Sequence, residues 1–359
     1  MVKYTIRRLI QAIPTFFGIT LLSFLLMTAA PGGPIRTLYA ADPKVNPAER
    51  AALAARMGVN DPWIVQYLRW LLGDDWMRRD TNDDGIADTS ILIPLDADGD
   101  GTSGAAGTSR GILRGDFGRS FFERRAVTEV IGDRVGATLE LGFFALLVGL
   151  IVGVPIGIIA AVRQGSWFDN FTRIVAVVFS AVPIFWLGLI LILVFGRYLN
   201  ILPMGFRSGI SLTGEIPPLY QRIQYLILPT FVLSTGTIAV FSRYMRASML
   251  DVISQDYVRT AKSKGLSARS VWFKHAARNA LIPIATFLGP SLTGLLGGAV
   301  VTETIFSWPG LGRTGVLSVI QQDYPVVMAV VIIAAIGTIL GYILSDILYA
   351  VIDPRIRFD

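Results

Sequence analysis

Six stretches of about 20 mostly apolar residues, near 9–30, 137–162, 174–196, 226–245, 282–303 and 327–350, constrain this chain more than any motif in it. A helix rises about 1.5 Å per residue, so a stretch of that length crosses the ~30 Å hydrocarbon layer of a bilayer. Inside that layer no water satisfies the peptide groups, and a helix satisfies its own within one segment. The expectation is an all-α membrane protein with six transmembrane helices. Composition agrees, with 53% of the 359 residues hydrophobic and 16% charged, against about 25% charged in an average soluble domain. The first stretch follows Lys3, Arg7 and Arg8, as in a signal peptide. It is longer than an h-region, and Pro31 follows without a small-x-small cleavage pattern, so it is expected to stay as an anchor.

Basic residues in short loops set direction, because such loops stay on the cytoplasmic side when rich in Lys and Arg. With the N-terminus inside, the inner segments hold fifteen Lys or Arg and the short outer loops only Arg197, Arg207, Arg222 and Arg313. Both termini and the loop 246–281 are therefore expected inside, and 31–136, 197–225 and 304–326 outside. Three regions follow: 1–30 with the first span, an extracytoplasmic region 31–136, and a core 137–359 with spans two to six. The formal charge of +6 belongs to this topology and needs no nucleic acid, since the basic residues flank apolar runs.

The loop 246–281 is too long and too patterned for a connector. A helix is expected to extend out of the fourth span to Lys264, with Gly265 as a left-handed stop. Ser267 is expected to cap a second helix through Val271, Trp272 and Ala276 into the fifth span. Basic residues around Val258, Ala261 and Leu266 suit docking of this hairpin into a groove of a cytoplasmic partner.

The stretch Asp256-Tyr257-Val258-Arg259-Thr260-Ala261-Lys262-Ser263-Lys264-Gly265-Leu266-Ser267 resembles the "EAA" loop of binding-protein-dependent ABC permeases of the dipeptide and oligopeptide importer type, with Arg259-Thr260-Ala261 where other members have Glu-Ala-Ala. Similar stretches run along the chain: Arg114-Gly115-Asp116-Phe117-Gly118-Arg119-Ser120, Ala137-Thr138-Leu139-Glu140-Leu141, Glu303-Thr304-Ile305-Phe306-Ser307-Trp308-Pro309-Gly310-Leu311-Gly312 and Asp323-Tyr324-Pro325. The resemblance implies a permease in the plasma membrane of a prokaryote, paired with a second homologous permease and two cytoplasmic ABC ATPases and served by an extracytoplasmic substrate-binding protein. Asp256, Tyr257, Arg259, Thr260, Ala261, Lys264, Gly265 and Leu266 would then form the ATPase coupling site. The cargo it implies is a di- or oligopeptide, with nickel chelates or oligosaccharides as the alternative.

An acidic stretch at about 74–113 interrupts this likeness. Asp80, Asn82 and Asp84 stand at alternate positions, Gly85 follows for the turn, and Asp88 lies at the ninth position, the oxygen spacing of a calcium loop. Asp96, Asp98 and Asp100 repeat the start of it. Ile91 and Gly107 stand where an EF-hand needs its bidentate glutamate, so no EF-hand is expected, only a weak structural Ca²⁺ site.

Other readings fall for want of parts. The chain has no cysteine and one histidine, His275, which leaves thiol chemistry, zinc clusters and Ser-His catalysis without their residues. There is no G-x-x-x-x-G-K-[ST] sequence, so ATP must be hydrolysed by a partner and no catalytic residue is expected here. Gly310-Leu311-Gly312-Arg313-Thr314-Gly315 matches G-x-G-x-x-G but follows no strand. Gly149, Gly153 and Gly157, and Gly294 and Gly298, have the spacing of close helix packing. Glu140, Ser291, Thr293 and Glu303 are the polar side chains of the spans expected to line a translocation pathway. A self-contained secondary transporter would show paired inverted repeats, which this sequence lacks.

Overall fold

Prolines and small residues decide where the apolar stretches stay straight and how closely they pack. The computed structural model describes residues 2–29, 62–73, 78–79, 89–90, 110–208 and 217–352. In chain order the elements are α1 (Val2–Ala29), α2 (Trp63–Leu72), the strands β1 (Arg78–Arg79) and β2 (Thr89–Ser90), α3 (Val127–Val162) and α4 (Trp167–Ala181). Next come α5 (Ile184–Leu191), which runs on into a π-helical segment Ile192–Tyr198, α6 (Leu219–Ile253), α7 (Asp256–Ser263) and a helical run over 268–280, here α8. The last are α9 (Ile282–Ile305), α10 (Leu311–Ile320) and α11 (Tyr324–Ile352). The all-α expectation needs one amendment: β1 and β2 pair antiparallel, with Arg78 opposite Ser90.

Among the described residues four helices are long and apolar enough to cross a membrane, in α1, α3, α6 and α11. The bent pair of α4 and the helix after it makes five if it counts as one crossing. The stretch expected as the fifth span is one helix, α9. Leu22 and Leu26 of α1 and Phe143 and Ile151 of α3 are each 60% exposed or more, a surface that suits hydrocarbon rather than water.

The third apolar stretch, near 174–196, is not one continuous helix. α4 and α5 meet at a 99° bend. Val182 is extended, with φ −72° and ψ 125°, because the ring of Pro183 disfavours the helical conformation in the residue before it.

The chain divides into two compact units. The first holds residues 1–14, 134–314 and 333–359. Here α3 lies against α6 along the glycine stripe, as its spacing led one to expect. A Cβ at Gly149 would stand 2.8 Å from Thr237, and one at Gly157 would stand 2.6 Å from both Met245 and the Ser242 carbonyl. The side chains around Gly294 and Gly298 lie outside the description. On another side of the same unit, the Ser345 hydroxyl donates to the carbonyls of Ala285 (3.0 Å) and Thr286 (2.8 Å), tying α11 to α9.

The second unit holds residues 15–133 and 315–332. Tyr67 and Leu71 of α2 are buried with Phe24 and Met328, and the Tyr67 hydroxyl pairs with Thr20 at 2.9 Å. The spacing of Trp63, Ile64, Tyr67, Leu68 and Leu71 predicts one apolar face on α2, and the structure splits it, with Trp63 and Ile64 pointing outward. Asp323 accepts from the Ser120 hydroxyl and from the N–H groups of Phe121 (3.1 Å) and Phe122 (3.3 Å). Two stretches that carry the family resemblance, 114–120 and 323–325, therefore meet in one buried anchor. Asn46, Pro47 and Glu49 make a capping pattern that predicts a helix ending at Gly58, and these residues lie outside the described ones.

Candidate functional site

The hairpin over 246–281 is built from its turn outward. α6 continues as one helix to Ile253, and after Ser254 and Gln255 the chain re-enters a helix as α7. Gly265 closes α7 with φ +73°. Its N–H donates to the Lys262 carbonyl at 3.0 Å, and that of Leu266 donates to the Ala261 carbonyl at 3.4 Å. Together these bonds form a Schellman cap, which needs a left-handed residue and so favours glycine. Ser267 then caps the return arm, its hydroxyl accepting from the Ser270 N–H at 3.4 Å. Both the stop and the cap stand where the sequence places them.

The return arm contains what periodicity misses. Val271–Ala276 is π-helical, and this wider turn brings Val271 and Ala276, five residues apart, to the same buried side. An α-helix would turn one of them away. The ammonium group of Lys262 stands 4.5 Å above the ring of Trp272, closing one arm on the other.

The exposed face of the hairpin is not the apolar one that the sequence suggested for docking. Val258 and Ala261 are buried, at 0% and 5% exposure, in a cluster with Phe241, Met245 and Met249 of α6 and Ile158 of α3. Their apolar side chains hold the hairpin to its own chain and cannot enter a groove elsewhere. The opposite face carries Asp256, Arg259, Thr260 and Lys264, all exposed, with Tyr257 39%, Leu266 40% and Phe273 46% exposed. Of the eight residues assigned by resemblance to coupling, seven share an exposed surface and Ala261 supports it from behind. The Asp256–Arg259 pair, 3.9 Å apart and open to solvent, adds little to its rigidity.

The four residues expected along a pathway meet different fates. Glu303 is wholly buried. Its Oε1 accepts from the Thr138 hydroxyl at 2.7 Å and its Oε2 from the Arg313 N–H at 2.9 Å. The Thr138 oxygen in turn accepts from the Leu311 N–H at 2.7 Å, and the Trp308 indole N–H donates to the Ala137 carbonyl at 2.9 Å. The carboxylate thus sits at the N-terminus of α10, where N–H groups and the helix dipole favour an anion. Gly310 leaves room for it, since any Cβ there would overlap the carboxylate. The G-x-G spacing set aside as a nucleotide signature does cradle an acidic group, and that group is the chain's own side chain. Glu303 closes the loop after α9, a role the sequence reading did not give it.

Glu140 is likewise held. Its Oε2 accepts from Arg207 Nε (2.8 Å) and Nη2 (2.6 Å) and from Arg222, in a group whose side chains are 10% to 13% exposed. This trio ties α3 to the start of α6 and to the loop at Arg207. Ser291 is half-buried on α9, and the side chain of Thr293 lies outside the description. Glu140 and Glu303 are thus held by different partners. Thr138, Trp308 and Gly310, the working parts of the Glu303 lock, were visible in sequence only as members of resembling stretches.

The calcium-type residues Asp80, Asn82, Asp84, Asp88, Asp96, Asp98 and Asp100 lie outside the described residues, although β1 and β2 bracket the first loop. Among the described residues no group of three or more acidic or histidine side chains is placed to hold a metal.

Comparison with known proteins agrees with this geometry. The family model described as "Binding-protein-dependent transport system inner membrane component" matches residues 153–358. An N-terminal model described as "Binding-prot-dependent transport system membrane comp, N-term" matches residues 1–90, reaching past the start of the acidic stretch. The chain is similar to the oligopeptide transport system permease protein AppB of Bacillus subtilis, 38% identical with 100% of both chains covered. It is also similar to the dipeptide transport system permease protein DppB of Escherichia coli K12, 36% identical over 99% of both. The glutathione transport system permease protein GsiC of Salmonella paratyphi A is 34% identical over 100% of both. Among solved structures, an inward-facing MetNI methionine ABC transporter shares the fold, with a TM-score of 0.51 and 16% identity over 63% of this chain and 98% of that one.

Proposed function

The chain belongs to the family of inner membrane components of binding-protein-dependent transport systems, and we propose that it is the permease subunit of an ATP-driven importer of di- and oligopeptides. The observation that carries this reading is the hairpin: a polar surface with three exposed apolar side chains, fixed to the membrane helices by a buried apolar one. That arrangement suits a lever held by a separate motor. In this reading six helices cross the membrane with both termini inside. A second, homologous permease completes the pathway, two ATPases grip the hairpins, and an extracytoplasmic protein delivers the cargo. The likeness to proteins named as oligopeptide, dipeptide and glutathione permeases supports peptides as that cargo.

The absence of cysteine makes a clean test. Leu266→Cys gives a single thiol, which should crosslink to the ATPase subunit and react with impermeant reagents only from the cytoplasmic side. Labelling from outside would overturn both the orientation and the coupling role. ATP-dependent uptake of a labelled dipeptide into proteoliposomes bearing all subunits tests the transport reading itself.

The acidic stretch is proposed to bind Ca²⁺ as a structural ion, supported by oxygen spacing at 80–88 and 96–101 and by the paired strands at the base of the first loop. Calorimetric titration of the detergent-solubilised chain with Ca²⁺ should give a dissociation constant of order 10⁻⁴–10⁻³ M. Asp80→Asn together with Asp84→Asn should abolish the heat, and an unchanged titration would leave a solvated loop.

A further inference from the structure

We propose that Asp169 and Arg246 are positioning residues through which displacement of the hairpin reaches the bent pair α4–α5, an inference that rests on the importer reading above. Three observations meet here. The first is that the hairpin is one packed block with the adjoining ends of α3 and α6, through Ile158, Met245, Met249, Val258, Ala261 and Val271. What moves the hairpin moves that block, since close-packed interiors transmit displacement rather than absorb it.

The second observation is a gap beside the packing of α4 on α6. Although the two helices lie against each other, a partly open cavity of about 170 Å³ lies between Ile156, Ile238 and Ala239 on one side and Phe168, Val175 and Phe179 of α4 on the other. Two hydroxyls line it. That of Thr172 donates to the Asp169 carbonyl (3.1 Å) and that of Ser242 to the Ala239 carbonyl (3.2 Å). Packed interiors keep few gaps of this size, so the α4–α6 contact has room to adjust here.

The third observation is the polar attachment between α4 and α6. Asp169, wholly buried in the first turn of α4, accepts from Arg246 Nε at 2.6 Å and Nη2 at 2.8 Å, with the Gly165 N–H completing its shell at 2.9 Å. A bidentate guanidinium–carboxylate pair fixes both distance and angle. At the far end of α4 the polar link is long, from Arg243 to the Ser180 hydroxyl at 3.4 Å, and the 99° bend at Val182–Pro183 follows. A helix that packs on α6, is fixed in distance and angle by a bidentate pair at one end, has only a long polar link at the other and has a gap beside it can tilt about Asp169. Arg173 also faces Asp169, at 3.8 Å, but its side chain is more than half exposed, and it sets no comparable geometry.

The test uses the complete transporter in proteoliposomes, reading dipeptide uptake and ATP hydrolysis in the same sample. Asp169→Asn and Arg246→Gln should each lower uptake per ATP about tenfold while hydrolysis continues. The double variant, which leaves no buried charge unpaired, should be no worse than either single one. Ala176→Leu, which fills the cavity, should leave the complex assembled and slow uptake and hydrolysis together. Unchanged uptake per ATP in the single variants, additive losses in the double, or full activity in the filled variant would each overturn the proposal. If none of the charge variants assembles, the pair is purely structural and the proposal falls. Failure of the wild-type complex to couple uptake to ATP would instead strike the importer reading.

Discussion

The hairpin after α6 and the loop after α9 are both short re-entries between helices, yet they are built inside out with respect to each other. In the hairpin, the turn keeps its polar side chains outside and is fixed by apolar ones, Val258 and Ala261, against α6 and α3. In the loop over 303–313, the polar groups are the ones inside, with Glu303 closed on Thr138 and the Trp308 indole on the Ala137 carbonyl. A surface meant for a partner must leave its hydrogen-bonding groups free, whereas a loop meant to stay shut uses them up on its own chain. The difference separates a turn that leaves its polar groups free from a loop that locks.

The largest effect is expected at the lock. Gly310→Val places a branched side chain where the Glu303 carboxylate lies, and expulsion of that group should destabilise the chain by about 3 kcal/mol or more. The measurement is thermal unfolding of the purified complex, and a near-wild-type midpoint would show that the loop tolerates opening. Thr138→Val comes next. It removes the donor to Glu303 Oε1 and the acceptor for the Leu311 N–H in one step, at about 1–3 kcal/mol. Restoration of the midpoint by Thr138→Ser would assign the loss to the hydroxyl rather than to the methyl.

The hairpin was readable in the sequence because its signals are local. Gly265 and Ser267 lie two residues apart, and each acts on its own turn. The lock was not, because Thr138 and Glu303 are 165 residues apart and nothing in either neighbourhood announces the other. A short polar residue in a span reads equally as pathway or as packing until its partner is known. The bend at Val182–Pro183 was missed for a related reason: Pro155 and Pro229 lie inside α3 and α6, so a proline in an apolar stretch does not by itself mark a break. The π-helical turn at Val271–Ala276 escaped because it changes the period on which the reading depends. Six apolar stretches, by contrast, follow from composition over windows long enough that no single residue matters.

A third prediction carries the comparison to the turn itself. Gly265→Val forces a branched residue into φ +73°, while the space around the position is open. The backbone conformation is therefore the whole cost, about 1–2 kcal/mol. The chain should still assemble, with less effect on stability than Gly310→Val, but with the two arms of the hairpin out of register and transport lost. Equal damage from both substitutions would erase the distinction between a turn limited by its dihedral and a loop limited by its contents.

The smallest effect on stability, and the sharpest test of the comparison, is expected from Tyr257→Ala and Leu266→Ala. Both side chains are about two-fifths exposed and lie outside the cluster that fixes the hairpin, so each change should alter the unfolding midpoint by no more than about 0.5 kcal/mol equivalent. If the outer face is a docking surface, apolar groups amid polar ones are the anchors there, and their loss should weaken ATPase association about tenfold or more. Co-purification of tagged ATPase with each variant reads that directly. Val258→Ala is the matched control, because its side chain is wholly buried; it should lower the midpoint by more than either surface change. Should Leu266→Ala destabilise the chain while leaving the ATPase bound, the hairpin would be held together in the same way as the lock, and the contrast from which its docking role is argued would be gone.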